Sequence, residues 1–430
     1  MFEKLKSLQF IWFLIILSTL PLFLFTDKIS TQPLLVTANL LGYLGLILFV
    51  WQIILGSRFI VGKITNKVIK VTSIHIWLGI YSTFLIILHP IILSKVYAES
   101  FLWIFSINFN STSELFISLG RIAFILFLIL WLSSKPIKDR ISYRMWQRLH
   151  YLSYPMVYLS LLHPFFIGTL LKQNPALKFV LYSLIFFLTI TILYRLSYWA
   201  GFFKYKYSVI DIQNFGSSYA IRMRAMDAES QKILSKPGQY IYLQINRFGE
   251  SHPFSIMENI MNGDKITLLI KPIGDFTNAL LQKEKGYILY LDGAYGDFGK
   301  ESKPSIPRIL IAGSTGVSTF YSMIGDFSIN TALIVCNNKI GQVPNEDYLI
   351  RRLGNSYHQF ISNKLNNGNN SSNTVYKKLD IDELKKIIDS QKTTPEQYYL
   401  CGSKRFNKGI RDNLKKLGIS KEIIYIESFS

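Results

Sequence analysis

VTSIHIWLGIYSTFLIILHPIIL (residues 71–93) and MWQRLHYLSYPMVYLSLLHPF (145–165) each carry two histidines inside an apolar segment, His75 and His89 in the first, His150 and His163 in the second. These four are two thirds of the six histidines in the chain. An imidazole in hydrocarbon loses hydration that apolar neighbours do not replace, so intramembrane histidines are rare unless something binds them. Fourteen residues separate His75 from His89 and thirteen separate His150 from His163. On helices rising ~1.5 Å per residue both intervals span roughly 20 Å, which places the histidines at two depths of one membrane. Where two such helices face each other antiparallel, each histidine meets a partner at its own depth, and two bis-imidazole sites for iron result. Two b-type haems, one above the other, fit that pattern. A lone histidine of this kind is more often a core residue bonded to a carbonyl, but two matched pairs make that explanation strained. Fourteen residues at ~100° each nearly restore one helix face and thirteen do not, so Pro155, between His150 and His163, is expected to kink its helix.

Outward from these segments, the 430-residue chain divides by composition. Residues 9 to about 202 carry long apolar runs with few charges, and 203–430 read as an ordinary α/β composition. Six spans are expected at about 9–26, 34–56, 72–94, 115–133, 146–170 and 177–202, each near the ~20 residues a bilayer core demands. Arg58, Lys63, Lys67 and Lys70 follow the second span, and Lys135, Lys138, Arg140, Arg144 and Arg148 follow the fourth. Short basic loops face the cytoplasm, and Lys4 and Lys6 agree, so both termini are expected there. A cleaved signal peptide over residues 1–26 is the rival; TLPLFLF offers no small-residue cleavage site. His75 and His150 then lie near the cytoplasmic face, His89 and His163 near the outer one. The net charge of +20 is spread through membrane-flanking loops without an aromatic-basic stripe, which argues against nucleic acid. Cys336 and Cys401, the only cysteines, exclude a disulfide framework or a cysteine-ligated cluster.

From Tyr205 to about 300 the chain changes to short β runs: KYKYSVIDI, SYAIRMRA, GQYIYLQI, KITLLIKPI and GYILYLDG, with Gly, Pro and Asn or Asp between them. Closely spaced strands with turn signals predict a small antiparallel barrel. After 305 the rhythm becomes strand, loop, helix, through RILIAG, TALIVC, QYYLCG and EIIYIES, which predicts a doubly wound parallel sheet. Residues 355–376, rich in Asn and Ser, break that rhythm and are expected to form a flexible surface insertion with a solvated His358 beside it.

Gly238-Gln239-Tyr240, then His252-Pro253-Phe254-Ser255-Ile256, then KPIGDFT (271–277) and LDGAYG (291–296) follow one another in an order that resembles the flavin domain of ferredoxin-reductase-like enzymes. The resemblance continues through IAGSTGVSTF (311–320), YYLCGS (398–403) and an aromatic residue near the end of the chain. Taken with the paired histidines and YRMWQRLHYLSY (143–154), the chain resembles the NADPH oxidase and ferric reductase superfamily over about 60–430, nearest in layout to its single-chain bacterial NADPH oxidases. The resemblance implies that Gln239, Tyr240, His252, Pro253, Phe254 and Ser255 line FAD, with Ser255 donating towards flavin N5. Gly274, Asp275 and Thr277 are implied near the pyrophosphate, and Phe429 on the flavin face that nicotinamide must reach. Gly313, Gly316 and Val317 are implied in the nucleotide loop, and Cys401 and Gly402 beside the nicotinamide; Ser255, Cys401 and Phe429 are the implied catalytic set. A glycine loop after a strand also suits a pyrophosphate in its own right. Tyr143 and Trp146 match the family pattern but read as interfacial anchors.

The chain departs from the family in four places. Gly313-Ser314 and Ser318-Thr319 stand where a glycine pair and a Thr-Pro are usual, and Ser403 stands where a proline follows Cys-Gly. Asn337, Asn338 and Lys339 follow the second strand where an arginine is usual in NADPH users, so the choice between NADH and NADPH stays open. The expected whole is a six-span bis-haem bundle (1–203), an FAD barrel (204–303) and an NAD(P)H-binding α/β domain (304–430). Nicotinamide gives up two electrons as hydride, haem accepts one at a time, and a flavin converts between them. The expected activity is electron transfer from NAD(P)H to an acceptor outside, O2 ahead of a ferric chelate, with no obligate protein partner. With both axial positions filled, oxygen would be reduced at the haem edge. A haem-binding electron-transfer subunit with a decayed reductase is the rival of another class, and a transporter a weaker one.

Overall fold

Asn174 shows how the apolar segments are made into helices. Its side-chain oxygen accepts from Leu177 N (2.8 Å) and its amide donates to Pro21 O (2.8 Å), so one buried residue starts a helix and ties it to the first. Ser142 caps another by accepting from Met145 N. The computed structural model describes residues 2–23, 32–57, 61, 68–97, 99–134, 137–233, 235–260, 263–302, 305–326, 330–363 and 373–428. Arg58, Lys63, Lys67, Lys135 and Phe429 lie outside them. Two compact units emerge, Met1–Leu196 and Ser197–Ser430.

The helices are α1 (Phe2–Thr19), α2 (Pro33–Leu55), α3 (Val68–Val96), α4 (Thr112–Ser134), α5 (Tyr143–His150), α6 (Ser153–Ile167), α7 (Thr169–Gln173) and α8 (Pro175–Trp199). Among the described residues, four stretches are long and apolar enough to cross a membrane: Pro33–Leu55, Val71–Val96, Thr112–Ser134 and Pro175–Trp199; Leu8–Leu22 is shorter. Ile47, Val50, Leu161, Leu177 and Leu188 form the interior, while Phe84, Phe179 and Phe186 are exposed, Phe179 by 73%. Apolar side chains turned outward along helices of this length suit hydrocarbon as solvent.

The expected span at 146–170 is not one helix. It breaks at Tyr151-Leu152, where Leu152 N bonds to Leu149 O and Tyr154 N to Tyr151 O, each three residues back. Pro155 falls in the first turn of α6, where its missing N–H costs nothing, rather than mid-helix as a kink. The tighter turn goes part of the way to explaining the thirteen-residue interval: a few residues at ~120° each recover roughly 60° of rotation, and their ~2.0 Å rise recovers the length.

In the second unit, β1 (Tyr205–Phe215), β2 (Ser218–Ala225), β3 (Tyr240–Gln244), β4 (His252–Ile260), β5 (Lys265–Ile270) and β6 (Ile288–Tyr295) close an antiparallel barrel in the order β1-β2-β5-β4-β3-β6. Tyr207 and Val209, Ile221 and Met223, Ile241 and Leu243, Ile266 and Leu268, and Leu289 and Leu291 fill it, the alternation a strand requires. α9 (Asp275–Leu281) follows β5. Then come β7 (Arg308–Gly313), β8 (Thr331–Asn337), β9 (Tyr357–Ile361), β10 (Thr374–Val375), β11 (Gln397–Cys401) and β12 (Ile424–Glu427), in a wholly parallel sheet ordered β10-β9-β8-β7-β11-β12. Its helices are α10 (Ser318–Asp326), α11 (Glu346–Leu353), α12 (Ile381–Asp389) and α13 (Lys404–Lys416).

Both ends of the 355–376 stretch belong to this sheet, as β9 and β10, which corrects the expected insertion; residues 364–372 lie outside the described set. His358 is likewise not solvated. It pairs with Ile334 in β9, and burial pushes its imidazole below the ordinary value.

Candidate functional site

Three of the four membrane histidines are held in the same way. His75 Nδ1 lies 2.7 Å from Gln52 O, His89 Nδ1 2.7 Å from Ala38 O, and His163 Nδ1 3.0 Å from Phe116 O. A carbonyl only accepts, so each Nδ1 carries the proton and each Nε2 keeps its lone pair, the form in which histidine ligates a metal. Four residues beyond each carbonyl stands a glycine against the same ring. A Cβ at Gly42 would come 2.6 Å from His89 Nδ1, at Gly120 2.6 Å from His163 Nδ1, and at Gly56 3.2 Å from His75 Nδ1. α2 thus repeats a carbonyl-and-glycine seat at a fourteen-residue interval, matching His75 and His89 on α3.

The fourth seat differs. Fourteen residues beyond Phe116 and Gly120 on α4 stand Leu130 and Ser134. Ser134 Oγ donates to Leu130 O (2.7 Å), and His150 Nδ1 is buried with no partner among the described residues. His150 instead stacks on Trp146, ring centroids 4.8 Å apart. Trp146, read from sequence as an interfacial anchor, thus also packs against this histidine.

The rings of His75 and His150 lie 6.4 Å apart, centre to centre. Two imidazoles on opposite sides of one metal, each nitrogen ~2 Å from it, place their centroids roughly 6 Å apart. The pair fits a six-coordinate haem iron. Beside Gly120, the buried Arg121 donates from Nη1 to Ser106 O (2.8 Å), lies 3.7 Å from Glu114 and sits over the Trp103 ring at 4.5 Å. An arginine within an apolar span is a signal in its own right.

In the second unit the sheet order reverses between β7 and β11, and open α/β sheets bind ligands in the crevice beyond the strand ends at such a point. Cys401, at the end of β11, pairs with Glu427 at the end of β12 and with Ala312 on β7, one residue before Gly313 ends that strand. Gly316 has to be glycine, because a Cβ there would meet Cys401 O at 2.1 Å. Val317 is buried beneath this loop. Ser314, in the family's glycine position, keeps a glycine's conformation at φ 54°. Ser403 in place of proline caps α13 by accepting from Phe406 N (3.2 Å). Asn337, buried at the end of β8, has both amide atoms without a partner among the described residues.

The barrel brings Ser255 to the same crevice: Thr319 Oγ1, in the first turn of α10, donates to Ser255 Oγ (2.9 Å) and lies 3.3 Å from Cys401 Sγ. Of the other residues expected at the flavin, His252 packs on Phe276 at 4.1 Å and Phe254 is half-buried. Pro253 pairs with Tyr242 across β3. Gln239 is braced by Lys236 N and Gly296 O, and Tyr240 is buried against Tyr242 and Tyr295. Thr277 Oγ1 accepts from Gly274 N (3.1 Å), while a Cβ at Gly274 would meet nothing within 4 Å. Asp275 opens α9. A separate cavity of about 660 Å³, lined by Met257, Asn259, Tyr321, Asp347 and Arg351 among others, includes none of these residues.

Two residues that sequence alone does not single out complete the crevice. Glu427 is 7% exposed, one carboxylate oxygen has no partner among the described residues, and burial pushes its pKa up to about 8. Burial likewise pushes the Cys401 thiol up to about 12. Asn407 donates to Gly402 O, Glu427 O and Ser428 Oγ, and so fixes the last described residues against the β11 turn.

Residues 41–161 match the family of the ferric reductase like transmembrane component, and residues 207–318 match an FAD-binding domain. A probable dihydroorotate dehydrogenase B (NAD(+)) electron transfer subunit from Pyrococcus horikoshii is 32% identical over 93 residues, 22% of this chain and 34% of that protein. A flavohemoprotein from Bacillus cereus is 25% identical over 215 residues, 45% of this chain and 52% of that protein. The chain thus spans between a third and about half of the length of these curated relatives. The flavohemoglobin of Malassezia yamatoensis, solved with FAD and heme, is 16% identical over 78% of this chain and 92% of that one, with a TM-score of 0.46. The pairing of a ferric-reductase-like membrane domain with an FAD-binding domain is consistent with the NADPH oxidase and ferric reductase superfamily, in line with the motif resemblance.

Proposed function

We propose that this chain is a transmembrane oxidoreductase carrying electrons from cytoplasmic NAD(P)H, through FAD and two b-type haems, to an acceptor across the membrane, with O2 ahead of ferric chelates. We assign six spans with both termini cytoplasmic, a bis-haem bundle over 1–203, an FAD barrel over 204–303 and an NAD(P)H domain over 304–430. The observation that carries this reading is the uniform seating of His75, His89 and His163, each with Nδ1 on a helix carbonyl and a glycine against the ring. A structural core histidine needs the carbonyl but not the cleared space.

When bound, flavin and haem supply the conversion of a hydride into single electrons. The chain's part is to hold and orient. His75 with His150, and His89 with His163, would hold the haems, and the carbonyl bonds on His75, His89 and His163 keep those three rings from turning and leave the lone pair on Nε2. Arg121 places a fixed positive charge at the level of His163. In the crevice, Gly316 lets the β7 turn pack directly on the end of β11, the turn would receive a pyrophosphate, and Ser255 would direct a hydroxyl at the site. Glu427, protonated below about pH 8, holds a proton beside Cys401. Ser314 keeps the glycine conformation and Ser403 caps a helix, which favours a working reductase over a decayed one.

The experiment is NAD(P)H oxidation by the purified full chain in nanodiscs with FAD and haem, scored for superoxide and for ferric-chelate reduction. Haem-dependent delivery to either acceptor supports the reading. NAD(P)H oxidation indifferent to haem, or none at all, sinks it.

A further inference from the structure

The Ser318-Thr319 pair stands where the resembling family has Thr-Pro, and its two hydroxyls have separate tasks. Ser318 Oγ donates to Thr315 O (2.8 Å) and closes its own loop. Thr319 Oγ1 reaches out of the nucleotide domain to Ser255 Oγ on the barrel strand β4 and to Cys401 Sγ at the end of β11. All three side chains are buried, Thr319 completely. A buried hydroxyl without partners is costly, and proline at this position has none to satisfy.

The donor directions follow from the valences. Thr319 has one hydroxyl hydrogen, spent on Ser255, so its contact with Cys401 has the thiol as donor. The Ser255 oxygen is then occupied as an acceptor, and its own hydrogen is the group left to point into the crevice. We propose that Thr319 is a positioning residue of the reductase, relaying Cys401 S–H to Thr319 O–H to Ser255 and so fixing the Ser255 hydroxyl as a donor towards the bound flavin. The relay rests on the function proposed above. It also clamps the barrel to the nucleotide domain at the point where hydride passes, beside the second link from Gly238 N to Ser322 Oγ (3.3 Å). Hydrogen bonds in series polarise one another, so the Ser255 hydroxyl is a stronger donor than an isolated one.

Thr319→Val keeps the shape and removes the hydroxyl, and Thr319→Ser keeps the hydroxyl. In the full chain loaded with FAD and haem, the S–H stretching band of Cys401, assigned by its loss in Cys401→Ser, is measured by infrared spectroscopy. It is expected at the hydrogen-bonded position in wild type and Thr319→Ser, and at the free-thiol position in Thr319→Val. The rate of flavin reduction by NAD(P)H is expected to fall about five- to tenfold in Thr319→Val, the scale of one net hydrogen bond. FAD content and nucleotide KM are expected to stay unchanged, and Thr319→Ser to recover the rate. An unmoved S–H band, an unchanged rate, or a loss that Thr319→Ser does not repair overturns the proposal. A wild-type flavin that NAD(P)H does not reduce at all defeats the functional reading instead. Should Thr319→Val fail to fold, Thr319→Ala is read the same way.

Discussion

At the scale of single residues, Ser314 and Glu427 carry local costs that can be measured. Ser314 holds φ 54°, where a side chain costs about 1 kcal/mol, so Ser314→Gly is expected to stabilise the second unit by about that amount, a rise of roughly 2–4 °C in its melting temperature. Glu427 gives a pH dependence with a definite sign. Its pKa is raised from 4.5 to about 8, so the folded chain keeps a proton that the unfolded chain releases. Its contribution is complete below about pH 4.5 and is lost as pH rises to about 8. Glu427→Gln does not titrate, so its melting temperature is expected to gain on wild type from pH 5 to pH 8; a constant gap would show that the carboxylate is ionised throughout. The histidines were legible in the sequence because an imidazole in hydrocarbon is conspicuous wherever it stands. Glu427, Thr319 and Asn407 were not, because a carboxylate, a hydroxyl and an amide in polar stretches acquire their meaning only when β12, α10 and α13 converge on β11.

At the scale of elements, the membrane unit uses one device three times and departs from it once. Gly42→Ala would drive a methyl group to 2.6 Å from His89 Nδ1, closer than any stable contact, so the outer haem is expected to be lost from the spectrum while the inner one remains. Leu130 O accepts from both Ser133 Oγ (2.9 Å) and Ser134 Oγ (2.7 Å), so the double variant Ser133→Ala, Ser134→Gly would release it from both hydroxyls, and the freed carbonyl is expected to take the proton of His150 Nδ1. Haem retention at the inner site under rising denaturant should then exceed that of wild type, and equal retention would mean that Leu130 does not serve His150. Helix positions in α2, α3, α4 and α8 followed from apolar length. The break at Tyr151-Leu152 was not legible, because Pro155 marked an irregularity without locating it, and only the three-residue hydrogen bonds show where the turn tightens. The barrel and parallel sheet followed from strand spacing, whereas β9 and β10 were obscured by the Asn-rich residues between them.

At the scale of the whole molecule, the account requires an ordered path, flavin to inner haem to outer haem. His75→Ala is expected to stop NAD(P)H-driven reduction of both haems while a soluble dye still accepts electrons from the flavin. His89→Ala is expected to leave the inner haem reducible and to abolish delivery to O2 or ferric chelate; the reverse pattern would invert the proposed topology. The most direct test of the central claim is an anaerobic reduced-minus-oxidised spectrum of the full chain in nanodiscs, with FAD and haem bound, taken after NADPH or NADH is added. The account predicts flavin bleaching followed by b-type haem bands that do not appear in His150→Ala. Flavin bleaching with no haem signal, or haem bands unaffected by His150→Ala, would contradict it.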